Sequence, residues 1–199
     1  MNKKSKAIFL DRDGVINELV YFREGISDSP NSADQFRLIN GVGNALKNLK
    51  ELGYKLIIIS NQPGIAKGKY TLDEFSKIQQ KMEWEIKQYN VILDDQFYCL
   101  HHPNAAIQEY QINCECRKPH TKLVLDAIKK HNIDIDKSFL MGDGMADMEL
   151  AKKMNCRGIF IGNINSAISK LFKDKGVIPF YIAHDLHEAS EYINKYYDN

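Results

Sequence analysis

The chain has 199 residues, 44% of them hydrophobic and 27% charged, which is enough length and apolar content for one domain with a substantial core. Its 27 basic and 26 acidic residues give a formal net charge of +1, so no global field attracts nucleic acid or an anionic membrane. We therefore expect a single domain over residues 1–199, with neither nucleic acid nor a membrane as a partner. Any attraction for anions must be local.

The N-terminal segment argues against a secretory signal. Residues 1–6 are rich in lysine, but residues 7–10 are the whole apolar stretch before Asp11, which is too short for the apolar core of a signal peptide. No later apolar run approaches the length of a membrane span. We therefore expect a cytoplasmic protein.

Hydrophobic patterns predict strands and helices that alternate along the chain. An apolar run at 8–10 ends in the sequence DRDG, and the polar segment 18–40 has no sustained period, which predicts a long loop leaving the same strand end. The later elements are predicted as helix 42–52, strand 54–62, helix 71–89, strand 96–100, helix 123–128, strand 138–143, helix 148–154, strand 156–161, helix 167–172, edge strand 179–183 and helix 184–196. This alternation predicts an α/β fold, a three-layer α/β/α sandwich around a Rossmann-like parallel sheet.

Polar side chains fall at the ends of four predicted strands. These are Asp11, Ser60, Cys99 with His101, and Asp143. Because open α/β sheets bind their ligands at the carboxyl ends of parallel strands, the topology should gather these residues at one edge of the sheet. Four coincidences of this kind predict a functional site there.

Three of the four cysteines crowd into eighteen residues, which in a cytosolic chain indicates a metal rather than disulfides. Two of them are too close in sequence for an easy mutual disulfide. The alternative is a set of reduced core thiols, and His102 is a rival for the imidazole position. The predicted set for a structural Zn²⁺, in a loop over residues 99–118, is Cys99, His101, Cys114 and Cys116.

The sequence GIAKGKY at 64–70 invites comparison with a nucleotide-binding P-loop. The Walker pattern requires four residues between its glycines and Ser or Thr after the lysine. Here three residues separate Gly64 from Gly68, and Tyr70 follows Lys69. We therefore exclude a P-loop and expect the glycines to let the loop backbone approach a substrate or a neighbouring chain.

Taken in order, the motifs resemble those of the haloacid dehalogenase-like phosphotransferases. The matching features are the strand followed by DxDG, Ser60 at a strand end, Lys118 after the cysteines, and Gly142-Asp143 with Asp147 four residues on. More narrowly, FLDRDGVIN, SNQPGIAKGKY, CLHHP, CECRKPH and GDGMADMELA are similar to the D,D-heptose 1,7-bisphosphate phosphatases and the related histidinol-phosphate phosphatase domain. The resemblance implies a haloacid dehalogenase-like fold without a separate cap domain, and it favours His101 as the imidazole of the CxH pattern.

The resemblance implies a Mg²⁺-dependent hydrolysis through an aspartyl-phosphate. Asp11 is the expected nucleophile and Asp13 the general acid and base. Asp11 and Asp143 offer oxygen ligands to Mg²⁺, and the backbone carbonyl of Asp13 is implied as a further ligand. These three aspartates are therefore the predicted magnesium site.

Phosphate contacts are expected from the second and third motifs. Ser60, with Asn61 and Gln62 after it, and Lys118 should hold the phosphoryl oxygens. Arg117 is a candidate for a second anionic group of the substrate. Asp147 is expected to orient metal-bound water or the lysine rather than bind metal, although it could be a simple first-turn acid stabilised by the helix dipole.

The expected substrate is a sugar bisphosphate, by resemblance D-glycero-D-manno-heptose 1,7-bisphosphate cleaved at C7, and the expected enzyme is a monomer. Histidinol phosphate and other sugar phosphates are alternatives. A non-catalytic phosphate- or metal-binding protein is an alternative of another class, against which the intact DxD motif argues. The 18–40 segment is longer than the family pattern, and Gly144 stands where heptose enzymes often carry lysine.

Overall fold

The computed structural model describes residues 4–21 and 27–197. Six strands among them form one parallel sheet, and two very short strands form a separate antiparallel pair. The strands are β1 Ala7–Leu10, β2 Val20–Tyr21, β3 Ser27–Asp28, β4 Lys55–Asn61, β5 Asp95–Cys99, β6 Phe139–Gly142, β7 Arg157–Ile161 and β8 Tyr181–Ala183. The helices are α1 Val42–Glu51, α2 Leu72–Lys87, α3 Lys122–His131, α4 Met145–Lys153, α5 Ser166–Lys175 and α6 Leu186–Tyr197, with 3₁₀ turns at Ala33–Gln35, Gln108–Tyr110 and Ile135–Lys137.

The sheet has helices on both faces. Alternate residues of β1 point into different apolar clusters: Ile8 and Leu10 pack with α1, α2 and α6, whereas Phe9 packs with α3, α4 and α5. A strand buried on both faces is continuously apolar, which is why β1 and β4 read as apolar runs in the sequence. The predicted three-layer α/β/α fold is confirmed, and within the described ranges no separate cap domain interrupts it.

The strand order is β5-β4-β1-β6-β7-β8, with β1 in the middle. The chain first builds the β1-β4-β5 side and then crosses to β6 on the other side of β1, which makes β1 the point where the strand order reverses. Leu10, the last residue of β1, is level with Ile58 of β4 and Met141 of β6. The carboxyl ends of β5, β4, β1 and β6 therefore lie side by side at the position where open α/β sheets bind ligands.

The 18–40 segment carries more structure than the sequence indicates. Val20 pairs with Asp28 and Tyr21 with Ser27 in the β2–β3 ladder, and a 3₁₀ turn follows at Ala33–Gln35. Strands of two residues are too short to show the alternation by which strands are recognised. Residues 22–26 of this segment, like residues 1–3 of the basic N-terminal stretch, lie outside the described residues.

The helices have the length and composition of globular helices. The longest in the described ranges, α2, has 16 residues and carries charges throughout. None of the described helices combines the length and the apolar character that a membrane span requires.

Candidate active site

Two carboxylates contact one buried lysine at the ends of β1 and β6, and a third carboxylate lies beside them. Asp11 follows the last residue of β1, and its N–H donates to the carbonyl of Met141 on the neighbouring strand (2.9 Å). Lys118 Nζ lies 2.9 Å from Asp11 Oδ1 and 2.6 Å from Asp147 Oδ1. The carboxylates of Asp11, Asp143 and Asp147 lie within 4.8 Å of one another. The structure thus brings together four of the residues predicted from separate motifs.

Two glycines make this close approach possible. Gly14 has a φ of 77°, and a β-carbon there would lie 2.1 Å from Asp143 Oδ2. A β-carbon on Gly142 would lie 2.2 Å from the carboxyl carbon of Asp147. Asp143 can therefore pack against the DxDG turn, and Asp147 against the end of β6, only because Gly14 and Gly142 have no side chain.

Asp147 is held from two sides. It lies in the first turn of α4, and the N–H of Gly144, the residue before the helix, donates to its Oδ2 (3.3 Å). Its Oδ1 accepts from Lys118, whose Nζ also donates to the carbonyl of Ile59 (2.9 Å). Asp147 therefore fixes the lysine in place, which is the arrangement expected of an orienting residue.

The carboxylate cluster carries more negative charge than the lysine neutralises. Burial and the nearby charges of Asp11 and Asp147 raise the pKa of Asp143 to about 7, although Lys118 opposes this. Burial disfavours the charged form of Lys118, but the carboxylates of Asp11 and Asp147 outweigh it and raise its pKa. Three oxygen-donor side chains with excess negative charge in a partly buried pocket fit a hard divalent cation such as Mg²⁺.

Asp13 lies apart from this cluster and is surrounded by donors. Its Oδ1 accepts from Arg12 Nε (3.1 Å), Arg12 NH2 (2.9 Å) and Asn17 Nδ2 (3.0 Å). Its Oδ2 accepts from Gln62 Nε2 (2.6 Å) and Ser29 Oγ (2.8 Å). Burial alone would raise the pKa of Asp13, but the charge of Arg12 and these hydrogen bonds lower it below its usual value. Asp13 is therefore ionised in this conformation.

Three of these four donors have no role in the sequence prediction. Arg12 sits between the two aspartates and is completely buried, and Asn17 is the end of the same motif. Ser29 belongs to the 18–40 segment, and the neighbouring Asp28 forms an ion pair with Lys69. That segment leaves the sheet at the site, which is the signal that could have suggested a contact, but nothing in the sequence singles out Ser29.

The residues at the carboxyl end of β4 face protein groups. Ser60 is buried, and its Oγ accepts from Gln62 Nε2 at 3.0 Å. Asn61 brackets the backbone of Lys118: its Nδ2 donates to the lysine carbonyl (3.1 Å) and its Oδ1 accepts from the lysine N–H (2.9 Å). The peptide bond that follows, between Lys118 and Pro119, is cis. Asn61 therefore ties the lysine-bearing loop to the end of β4.

The three clustered cysteines and one histidine converge beside this edge of the sheet. The three Sγ atoms lie 3.1–3.5 Å apart, well beyond the about 2.05 Å of a disulfide, and His101 Nδ1 lies 3.3 Å from Cys116 Sγ. At Cys114 burial opposes ionisation, but hydrogen bonds from neighbouring thiols lower its pKa to about 6. The rival His102 instead accepts from the N–H of Asn104 (3.1 Å). Three sulfur donors and one imidazole at these distances could hold a metal ion such as Zn²⁺ in tetrahedral coordination. These donors are Cys99, His101, Cys114 and Cys116.

Arg117 lies on the cysteine-loop side of the site. Its NH1 donates to the carbonyl of His101 (3.4 Å). Burial and the positive charges of Arg117 and Lys67 lower the pKa of His102. The loop at 64–70 meets the cysteine loop here, since the N–H groups of Ala106 and Ile107 donate to the carbonyl of Ala66.

Comparison with solved structures gives the class of the fold. The D,D-heptose 1,7-bisphosphate phosphatase from B. bronchiseptica, complexed with magnesium and phosphate, superimposes with a TM-score of 0.78 at 24% identity, covering 96% of this chain and 98% of that chain. A putative haloacid dehalogenase-like phosphatase from Mesorhizobium loti gives a TM-score of 0.78 at 22% identity, covering 96% of this chain and 85% of that one. At these identities the likeness shows the fold, which is that of haloacid dehalogenase-like phosphatases.

Sequence comparison narrows the class to a family. The profile described as polynucleotide kinase 3 phosphatase matches residues 9–173. The D-glycero-beta-D-manno-heptose-1,7-bisphosphate 7-phosphatase of Salmonella typhi is 40% identical over 156 residues, 78% of this chain and 79% of that protein. The enzyme of the same name from Haemophilus influenzae is 40% identical over 146 residues, 73% of this chain and 74% of that protein. The chain belongs to the polynucleotide kinase 3 phosphatase family and is similar in sequence to these heptose-bisphosphate phosphatases. The resemblance predicted from the sequence motifs is confirmed.

Proposed function

We propose that this protein is a Mg²⁺-dependent phosphomonoesterase that removes the C7 phosphate of D-glycero-β-D-manno-heptose 1,7-bisphosphate. The observation that carries the proposal is the cluster of Asp11, Asp143 and Asp147 around buried Lys118, at the strand-order reversal of a phosphatase fold. The names of the relatives at about 40% identity supply the substrate.

The residues present fit a magnesium ion. Asp11 and Asp143 would hold it through carboxylate oxygens, and the carbonyl of Asp13 accepts no hydrogen bond from the described backbone, which leaves it free to act as a further ligand. When bound, the ion supplies positive charge that offsets the repulsion between a carboxylate nucleophile and a phosphate ester. Asp147 is committed to Lys118 and supports the site through that lysine.

The side chains then divide the reaction into two displacements. Asp11 attacks phosphorus in line, the phosphorus–oxygen bond to the sugar breaks, and an aspartyl-phosphate forms. Lys118 and the Ser60 hydroxyl stabilise the charge on the phosphoryl oxygens. Asp13, once it has released a hydrogen-bond donor and taken up a proton, gives that proton to the departing alkoxide and then takes one from the water that hydrolyses the aspartyl-phosphate. Arg117 is proposed to bind the second phosphate of the substrate.

The Cys₃His set is proposed to bind one structural Zn²⁺. Three cysteine sulfur atoms 3.1–3.5 Å apart with an imidazole beside them support it. The metal would fix the loop over residues 99–118, which ends in Arg117 and Lys118. We propose that this loop belongs to a single domain that spans residues 1–199. The predicted monomeric state and cytoplasmic location stay predictions.

Substrate competition tests the proposal. The purified protein, assayed with Mg²⁺, should give a higher kcat/KM for heptose 1,7-bisphosphate than for histidinol phosphate or for monophosphorylated sugars. A kcat/KM that favours histidinol phosphate would replace the sugar substrate with the alternative. Absence of hydrolysis with every phosphate ester, in a protein that binds Mg²⁺ and phosphate, would favour a non-catalytic binding protein.

A further inference from the structure

Gln62 is completely buried one residue beyond β4, and its side-chain amide touches two groups of the proposed reaction. Its terminal nitrogen lies 2.6 Å from Asp13 Oδ2 and 3.0 Å from Ser60 Oγ. An ionised carboxylate only accepts hydrogen bonds, so the atom facing Asp13 must be the amide nitrogen and not the oxygen. Each of the two N–H groups of this nitrogen can therefore serve one of the two residues.

The contact with Ser60 determines what its hydroxyl can do. Because Gln62 donates to Ser60 Oγ, one lone pair of that oxygen is occupied. Within the described ranges, no acceptor receives the hydrogen of this hydroxyl. A hydroxyl that accepts from a fixed donor must direct its own hydrogen elsewhere, so Ser60 is set as a donor toward a bound anion.

The hydrogen bond from Gln62 to Asp13 fixes the position of one carboxylate oxygen, Oδ2. Gln62 gives the shortest of the hydrogen bonds to this carboxylate, and it shares Oδ2 with Ser29 and Arg12, whereas Arg12 and Asn17 donate to Oδ1. A carboxylate has about four acceptor positions, and four residues fill them. Asp13 must therefore release a donor to carry a proton. Because Gln62 Nε2 donates to both Asp13 and Ser60, this single nitrogen atom sets the position of the Asp13 carboxylate relative to the Ser60 hydroxyl.

The amide of Gln62 is itself held on its other sides. Its Oε1 accepts from the hydroxyl of Tyr70 (3.4 Å), and its backbone N–H donates to the carbonyl of Cys99 (2.8 Å). The Tyr70 ring packs so closely on Gly64 that a β-carbon there would lie 2.1 Å from it, and it stacks on Phe75. The amide cannot turn over without breaking these contacts.

We propose that Gln62 is a positioning residue, and not a phosphate ligand, that holds the phosphate-binding hydroxyl of Ser60 and the acid/base carboxylate of Asp13 in fixed relation to each other. The inference rests on the proposed phosphatase activity. Its consequence is a leaving-group effect. A sugar alkoxide needs a proton from Asp13 in order to leave, whereas p-nitrophenolate leaves without one.

The test compares kcat/KM for two substrates in the full-length protein with Mg²⁺: p-nitrophenyl phosphate and the sugar phosphate that the wild type hydrolyses fastest. Gln62→Met keeps the length of the side chain and removes both N–H groups. A positioned acid contributes about 10²–10⁴-fold, so this variant should lose at least about tenfold more with the sugar phosphate than with the aryl phosphate. Gln62→Glu, which places a carboxylate against Asp13, should show the same preference for the aryl substrate if Gln62→Met folds poorly.

Two comparison variants separate this role from a structural one. Ser29→Ala removes a donor from Asp13 alone, so it should shift the substrate ratio without raising KM for the aryl phosphate, which Gln62→Met should raise through Ser60. Gln88→Met makes the same chemical change on the exposed end of α2 and should alter neither substrate.

Equal losses with both substrates in Gln62→Met and Gln62→Glu would overturn the positioning role, because a general structural defect lowers both alike. Failure of the wild type to hydrolyse either substrate would instead overturn the proposed function, so the two failures are distinguishable.

Discussion

Replacing Lys118 with methionine removes an ammonium group that touches two carboxylates and a carbonyl inside the protein. The lysine and Asp147 side chains are 2% and 3% exposed, and their charged atoms are 2.6 Å apart. Methionine has a similar length, so the change deletes the charge and leaves little empty space. The variant therefore isolates the electrostatic role of the lysine from its packing.

Removing one partner of a buried ion pair costs about 3–5 kcal/mol, because the remaining charge is left in a poorly solvated place. Burial raises the pKa of Asp147, so proton uptake offsets part of this cost in the variant. We therefore expect Lys118→Met to reduce the free energy of unfolding by about 3 kcal/mol at neutral pH, the lower end of this range. For a chain of this size, that loss lowers Tm by about 6–12 °C. Hydrolysis should also be lost, since Lys118 contacts Asp11, the proposed nucleophile.

Urea unfolding without added divalent cation measures the free energy of unfolding of the variant. Lys122→Met is the matched control, because Lys122 forms an exposed i,i+4 pair with Asp126 at 2.8 Å and is 51% exposed. That pair should contribute about 0.3–0.5 kcal/mol. If both lysine variants lost the same small amount of stability, the buried cation would not hold the carboxylate cluster together and the electrostatic reasoning would be refuted.

Three further changes test other parts of the account. Cys114→Ser should reduce bound zinc from about one ion per chain to near zero, whereas Cys156→Ser, outside the cluster, should keep it; zinc retained by the first variant would rule out the proposed ligand set. Gly14→Ala should lower kcat/KM by at least about tenfold, because the new β-carbon would meet Asp143 Oδ2 at 2.1 Å, and wild-type activity would contradict the close packing. Burial opposes ionisation of Asp94, but hydrogen bonds and two nearby lysines lower its pKa in the folded protein below the usual 3.8. The Asp94 carboxylate therefore stabilises the fold above pH 3.8, and this stabilisation is lost as the pH falls through the lower pKa of the folded state. Asp94→Asn should therefore destabilise the protein at about pH 6 and less at about pH 3 by urea unfolding, and a penalty that grew on acidification would show the sign to be wrong.

The fold was predictable because its strongest signals are local. β1 and β4 are buried on both faces and appear as unbroken apolar runs, and α1, α2 and α3 bury residues three and four positions apart. Capping also sets boundaries, since Thr71 accepts from the N–H of Glu74 at the start of α2. By contrast, α5 runs to Lys175, beyond the predicted end at residue 172. Its last turn is charged and exposed, so hydrophobic spacing underestimates the length of this helix.

The cluster at the strand ends was predictable for a topological reason, whereas its contacts were not. Parallel strands place their carboxyl ends at one edge, so Asp11 and Asp143 had to meet once β1 and β6 were neighbours. Two of the donors to Asp13 depend on tertiary contacts: Ser29 on a loop contact and Gln62 on the packing of its side chain. Ser29 lies in a segment without regular period, and the amide of Gln62 is directed by Tyr70. Such orientations depend on tertiary packing that no local pattern records.

Hydrolysis of heptose 1,7-bisphosphate by the Asp11→Asn variant tests whether Asp11 is the nucleophile, with phosphate release and mass spectrometry of the protein followed together. The amide cannot act as the carboxylate nucleophile, so the account predicts a folded protein with no turnover, whereas the wild type in Mg²⁺ releases the C7 phosphate and carries a transient phosphoryl group on Asp11. Sustained phosphate release by the variant, or a wild-type phosphoryl group on another residue, would contradict it.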